Sequence, residues 1–302
     1  MKKFLLLPFG LAIFLACSLP LRAGGPEAVA GPAAPAGSPD KSGYHLFHPV
    51  PREFLRDMST DRPDKTESAY TVDAGHFQLE MDFFNYTHER YDADTGADTR
   101  TDTWNVAPFN LKAGLLNNVD LQVIFDSYLQ EQTEDRTAGT TERTSGIGDT
   151  TVRVKVNLWG NDGDRTALAV MPFVKAPTNS AGLGNNSVEG GLIVPLAVEL
   201  GGGWNMGVMT EVDVVRDESG SGHRPEFINS ITFSRNIAGK LGGYVEFFSS
   251  VNGERGFGWE GTADVGLTYA LTADMQLDGG CNFGVTRAAD DVNPFLGLSV
   301  RF

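Results

Sequence analysis

Pro294-Phe295-Leu296-Gly297-Leu298-Ser299-Val300-Arg301-Phe302 closes the chain, and its reading decides the fold. Leu296, Leu298, Val300 and Phe302 fall on one face of an extended strand, and Gly297, Ser299 and Arg301 fall on the other. A helix would spread these residues around its circumference, whereas period two separates them cleanly.

The same period runs backwards through the chain as far as Gly75. Val152, Val154, Val156 and Leu158 oppose Thr151, Arg153, Lys155 and Asn157. Phe77, Leu79, Met81 and Phe83 oppose Gln78, Glu80 and Asp82. Phe109, Leu111, Ala113 and Leu115 belong to a strand read from Thr103 to Leu115, and Leu121, Val123, Phe125 and Leu129 to the next. Further alternating segments begin at Ala167, Val188, Trp204, Phe227, Leu241, Thr262 and Met275. About twelve strands result, many near the length of about ten residues that a tilted membrane strand needs.

The connections alternate too. Short turns are expected at Asn117-Asn118, Asn161-Asp162-Gly163, Gly201-Gly202, Asn236 to Gly239 and Thr272-Ala273. Longer polar loops are expected near Tyr91 to Arg100, Gln130 to Ser145, Pro177 to Asn186, Arg216 to Arg224, Asn252 to Gly258 and Ala288 to Asn293. Short turns at one end and long loops at the other are the asymmetry of a transmembrane barrel. The reading is all-β: an antiparallel up-and-down transmembrane β-barrel of about 12 strands with an N-terminal periplasmic tail. Phe84, Tyr86, Trp104, Tyr128, Trp159, Trp204 and Trp259 near strand ends suit interfacial girdles.

Before Gly75 the chain is different. Lys2 and Lys3 followed by apolar Phe4 to Ala16 read as an export signal, assigned here to residues 1–23. Cleavage after Ala23 and after Ala28-Val29-Ala30 are both open, as are lipidation of Cys17 and retention as an anchor. Residues 24–74 form a linker rich in Ala, Gly and Pro, then a mixed charged segment that is periplasmic or plugs the barrel. Phe54 to Met58 is expected as a helical turn. The barrel occupies residues 75–302, which places the protein in the bacterial outer membrane.

Composition narrows the function classes. The net charge of −15 excludes nucleic acid as a partner, because that needs a basic footprint. Removing the signal leaves Cys281 without a disulfide partner. The histidines His45, His48, His76, His88 and His223 find no nucleophile, and Gly-x-Ser-x-Gly is absent. His76 and His88 share the parity of Glu80 and Asp82, which reads as lumen-facing. No catalytic, metal or cofactor site is assigned. Asp61, Asp64 and Glu67 alternate with Arg62 and Lys65, so ion pairing is preferred to metal binding.

The inward parity instead carries charge: Glu80, Asp82, Lys112, Asp126, Arg153, Lys155, Glu189, Glu199, Glu211, Asp213, Glu246, Asp264, Asp278 and Arg301. An Arg or Lys facing lipid costs about 2–4 kcal/mol near the midplane, so these side chains belong in the lumen. Phe84, Tyr86 and Tyr244 share that inward parity; they read as packing, with an apolar lumen patch as the alternative.

Thr60-Asp61-Arg62-Pro63-Asp64-Lys65-Thr66-Glu67-Ser68, then Tyr70-Thr71-Val72 and Gly75-His76-Phe77-Gln78-Leu79-Glu80, resembles the opening of outer-membrane transporters grouped as "MetA-pathway of phenol degradation". Gly146-Ile147-Gly148-Asp149-Thr150 is similar to that family's central Gly-x-Gly-Asp element, and the terminal Phe302 fits. The resemblance covers about Asp61 to Phe302. It implies a channel or transporter for passive or facilitated diffusion of a small solute, with a hydrophobic or aromatic solute as a variant. A closed anchoring barrel that displays its outer loops is the alternative, and a lipid hydrolase is a third. The expected partners are outer-membrane lipid, the small-molecule solute and the outer-membrane assembly machinery, which would engage the C-terminal strand.

Overall fold

The computed structural model describes residues 40–90, 98–217, 219–253 and 258–302. The signal, the cleavage sites, Cys17 and most of the linker lie outside the described residues. The strands are β1 (Phe77–Glu89), β2 (Thr99–Val106), β3 (Phe109–Leu116), β4 (Val119–Phe125), β5 (Tyr128–Asp135), β6 (Thr140–Gly146), β7 (Thr150–Trp159) and β8 (Thr166–Ala176). They continue as β9 (Glu189–Gly201), β10 (Trp204–Arg216), β11 (His223–Ala238), β12 (Leu241–Asn252), β13 (Trp259–Thr272), β14 (Met275–Gly284) and β15 (Val292–Arg301).

Three pairs, β2 with β3, β4 with β5 and β6 with β7, are halves of single strands broken by two or three residues. The chain therefore crosses the wall twelve times. Every strand pairing is antiparallel, and β15 pairs with β1 from Gln78↔Arg301 to His88↔Val292, which closes the barrel. Phe77 and Phe302 exchange both backbone hydrogen bonds, at 3.0 and 2.9 Å. The terminal aromatic thus seals the seam at the end that carries the short turns.

The barrel is inverted relative to a water-soluble protein. Leu111, Val152, Val174, Leu192, Val212 and Leu267 are exposed on the outside, while Lys112, Lys155, Asp120 and Asp264 are among the most completely buried side chains. An outer surface of apolar residues on a closed sheet is stable only in hydrocarbon, where no strand edge is left unpaired. The protein is an outer-membrane barrel. Both barrel ends and the short turns mark its periplasmic side.

Three expectations change. The strand read from Thr103 to Leu115 breaks at Ala107-Pro108, where Ala107 takes φ +55° and Pro108 has no N–H to give the ladder. The loop expected at Gln130 to Ser145 is a hairpin of β5 and β6. Its threonines favour extended backbone, but both faces are polar, so periodicity is silent there. The helical turn lies earlier than expected, as a short 3₁₀ turn at Arg52–Phe54.

Candidate functional site

The lumen is occupied from the periplasmic end by the segment that precedes β1. It enters beside the turns, follows the inner wall and returns. Asp73 is buried at the base and accepts from Arg56 N at 3.0 Å and Lys41 Nζ at 3.4 Å. Arg301 of β15 donates to Arg56 O at 2.7 Å and to Asp274 at 2.8 Å. The last strand therefore holds the mouth of the plug.

Further in, Asp61 is the central node. Its Oδ2 accepts Lys112 Nζ at 2.5 Å, and its Oδ1 accepts Lys155 Nζ at 2.5 Å and the backbone N of Ser68 at 2.9 Å. The Ser68 bond closes residues 61–68 into a loop. Glu80 shares Lys112 and accepts the Asp61 and Arg62 amides at 3.0 and 3.2 Å. Burial pushes the Asp61 carboxyl up, but Lys112 and Lys155 outweigh it and hold it well below the usual carboxylate range.

The plug residues Arg62, Lys65 and Glu67 each meet a complementary wall residue. Arg62 bridges Asp278 and Asp82, each at 2.6 Å, and lies 5.9 Å from the Phe295 ring centre. Lys65 sits 4.4 Å over the Phe248 ring and 3.9 Å from Asp264. Glu246 accepts the Lys65 and Thr66 amides, both at 2.8 Å. Glu67 pairs with Arg153. On the return limb Asn157 donates to Ala69 O at 2.8 Å, and Val72 N donates to Asp120 at 3.0 Å. Asp64 faces Glu246 without an ion-pair partner among the described residues. Burial, and then the Glu246 charge, push its carboxyl well above the usual range.

Of the residues singled out from sequence, Glu80, Asp82, Lys112, Arg153, Lys155, Glu246, Asp264, Asp278 and Arg301 converge on this segment. Asp126 sits higher on the wall and accepts Asn105 Nδ2 at 2.7 Å. Glu211 and Asp213 lie on β10 and take none of the plug's cations. Glu189 pairs with Lys175 at 2.6 Å, and Glu199 is exposed near the lower rim. Asp120, Gln122 and Asn157 also serve the plug. They share the inward parity of Lys112 and Lys155, which was the available signal.

The apolar lumen patch is not where parity puts it. A β-bulge between Asp82 and Phe84 inserts a residue opposite β15, so Phe84, Tyr86 and His88 turn outward. Tyr244 does face inward, with its Oη donating to Pro63 O at 3.4 Å. The inward apolar cluster lies across the barrel, where Met171, Ile193 and Met209 are buried with Phe173 and Ile228 against them. Glu67 N contacts Met209 Sδ at 3.4 Å, so the patch abuts the plug. Glu211 is level with both Ile193 and Ile228 on the neighbouring strands.

Among solved structures, the transport unit of the autotransporter AIDA-I from Escherichia coli matches with a TM-score of 0.50 at 11% identity, covering 83% of this chain and 94% of that one. A NanC porin matches at 0.47 and 12%, covering 74% and 98%. The toluene transporter TbuX from Ralstonia pickettii matches at 0.42 and 9%, covering 75% and 89%. At these identities the likeness is one of fold. Comparison with curated proteins gives no match. A family model described as "Putative MetA-pathway of phenol degradation" matches residues 60–302.

Proposed function

The chain belongs to that family, and from this premise we propose that it is a gated outer-membrane transporter for a small, largely apolar solute. The plug segment is its gate. The observation that carries the reading is the apolar cluster of Met171, Phe173, Ile193, Met209 and Ile228 lying directly against the plug at Glu67. The other inward apolar side chains, Phe295, Phe248, Tyr244, Ala167 and Ala169, are taken up by plug residues, so few other sites repay the dehydration of an apolar guest. Ion pairs hold the plug to the wall, and breaking a few of them would open a path past that patch. No covalent step is required of any residue.

The density of buried pairs around Asp61 favours a second reading, a permanently closed anchoring barrel. One experiment separates them: planar-bilayer current from the refolded full chain and from Arg62→Ala, with phenol added as the probe. A gated transporter gives openings that the variant makes frequent and that phenol interrupts in proportion to its concentration. If both proteins stay silent while correctly folded, the barrel is closed. Openings that arabinose interrupts as well as phenol would remove the apolar preference.

A further inference from the structure

Outside the lumen, β1, β2 and β5 carry a second cluster that the transport path does not use. Its outward direction follows from the register. Tyr86 pairs with Trp104, Trp104 with Gln130, and Asp102 with Gln132. The alternate residue Asn105 points inward to Asp126. Two residues before and after this cluster the same face carries Phe84, Val106 and Tyr128, all exposed. The cluster therefore stands about 7–14 Å beyond the apolar belt on the side away from the periplasmic turns, at the level of the outer-leaflet headgroups.

Tyr86, Arg100, Asp102, Trp104, Gln130 and Gln132 line an outward cleft of about 250 Å³. Its floor is held in place. Asp102 accepts from Tyr86 Oη at 2.5 Å and from His88 Nδ1 at 2.7 Å, and it forms an ion pair with Arg100, whose Nε lies 2.9 Å away. Arg90 Nε donates to His88 Nε2 at 3.1 Å, which fixes the ring with its proton on Nδ1. That donor also occupies the position that a serine would need in a hydrolytic triad. The Tyr86 and Trp104 rings lie 4.5 Å apart, and Trp104 is 41% exposed. Gln130 Oε1 takes Arg143, which leaves its amide N–H groups available. Gln132 has no side-chain partner among the described residues.

We propose that this cleft binds a sugar of the oligosaccharide that an outer-leaflet glycolipid carries beyond its acylated sugars. A sugar ring presents an apolar C–H face that suits an exposed indole, and hydroxyls that suit amide, guanidinium and carboxylate groups together. An apolar molecule would leave the free Gln132 amide and the Gln130 N–H groups without partners, and a lone phosphate would meet the fixed Asp102 charge. The acyl chains of such a lipid would run down the adjoining Phe84, Val106 and Tyr128 surface, so headgroup and tail are met by one continuous face.

The test is retention of lipid by the refolded full chain, read by native mass spectrometry. The probes are lipopolysaccharide bearing a core oligosaccharide, lipid A lacking it, and the free core oligosaccharide. Gln132→Ala, which breaks no side-chain hydrogen bond among the described residues, and Trp104→Ala are each expected to weaken lipopolysaccharide retention by about fivefold and to leave lipid A unchanged. Trp259→Ala, elsewhere on the belt, should change neither. Equal retention by wild type and Gln132→Ala would overturn the proposal and leave the cluster as a brace for the β1–β2 hairpin. Equal losses for lipid A would overturn it too. If the free oligosaccharide quenches Trp104 fluorescence as tightly as lipopolysaccharide does, the cleft serves a soluble saccharide and the glycolipid assignment falls. Should Trp104→Ala fail to fold, Gln132→Ala carries the test alone.

Discussion

Arg62 and Asp278 lie 216 residues apart in the chain, yet the guanidinium Nη2 of one is 2.6 Å from the carboxylate Oδ1 of the other. The same nitrogen reaches Asp82 at 2.6 Å, so one plug side chain neutralises two inward carboxylates from opposite ends of the barrel sequence. Removing a single partner from a buried pair costs about 3–5 kcal/mol, because the other charge is left uncompensated. Arg62→Ala strands two. The expected outcome is loss of plug seating with the barrel intact, seen as more frequent openings in a planar bilayer. Arg62→Lys should fall between, since an ammonium does not reproduce the fork. Unchanged current would mean that Arg62 does not hold the gate.

Gly114 gives a way to move the return limb without touching a charge. A Cβ placed there would lie 2.1 Å from Asp73 O and 2.8 Å from Val72 O, both backbone atoms that cannot rotate aside. Gly114→Ala should therefore push residues 72–73 off the wall and break the Val72–Asp120 and Asp73–Arg56 contacts. Trypsin should then cut after Arg56 and Lys65 several-fold faster, while the barrel keeps its folded electrophoretic mobility. Wild-type resistance in the variant would show that the limb tolerates the shift.

The barrel was legible because lipid and lumen impose opposite chemistry on alternate residues, and Val152 to Leu158 records both faces. The plug's position was not. Nothing in the spacing of Asp61, Arg62 and Lys65 names Lys112, Asp278 or Asp264, since ion pairs across a lumen join residues with no fixed sequence relation. The bulge was hidden for a different reason. Phe83 and Phe84 are adjacent and both exposed, so a shift of parity between them changes no hydrophobic pattern. That doublet was the one trace of it, and missing it sent Tyr86 and His88 to the wrong side of the wall.

Asp64 makes plug seating depend on pH. It lies in the plug rather than in a spanning strand, and its carboxyl is raised by burial and by Glu246. A carboxyl with a raised value in the seated state holds a proton there that it gives up on release. Its contribution is therefore complete below the ordinary carboxylate range and is lost as pH rises through the raised value. Asp61 runs the other way, and its contribution is lost progressively as pH falls below the ordinary carboxylate range. Opening frequency should thus increase as pH is raised from mildly acidic towards alkaline, and Asp64→Asn should flatten that dependence. A slope that survives the substitution would place the titrating group elsewhere.

Glu211 and Asp213 should set the ion preference of the open lumen. Most inward charges are spent in pairs: Lys112 and Lys155 on Asp61, Arg62 on Asp82 and Asp278, and Arg153 on Glu67. Glu211 and Asp213 meet no plug cation and stand at the edge of the apolar patch, where they hydrogen-bond each other, so the charge they share is left open to a passing ion. Selectivity in a pore follows the sign of such unneutralised lining groups. In the Arg62→Ala background, Glu211→Gln with Asp213→Asn should move the reversal potential in a salt gradient towards anions. Lys175→Gln with Glu189→Gln, which removes two charges that neutralise each other at 2.6 Å, should move it little. If the two double variants shift the potential equally, pairing does not govern the field and the selectivity lies with the outer loops.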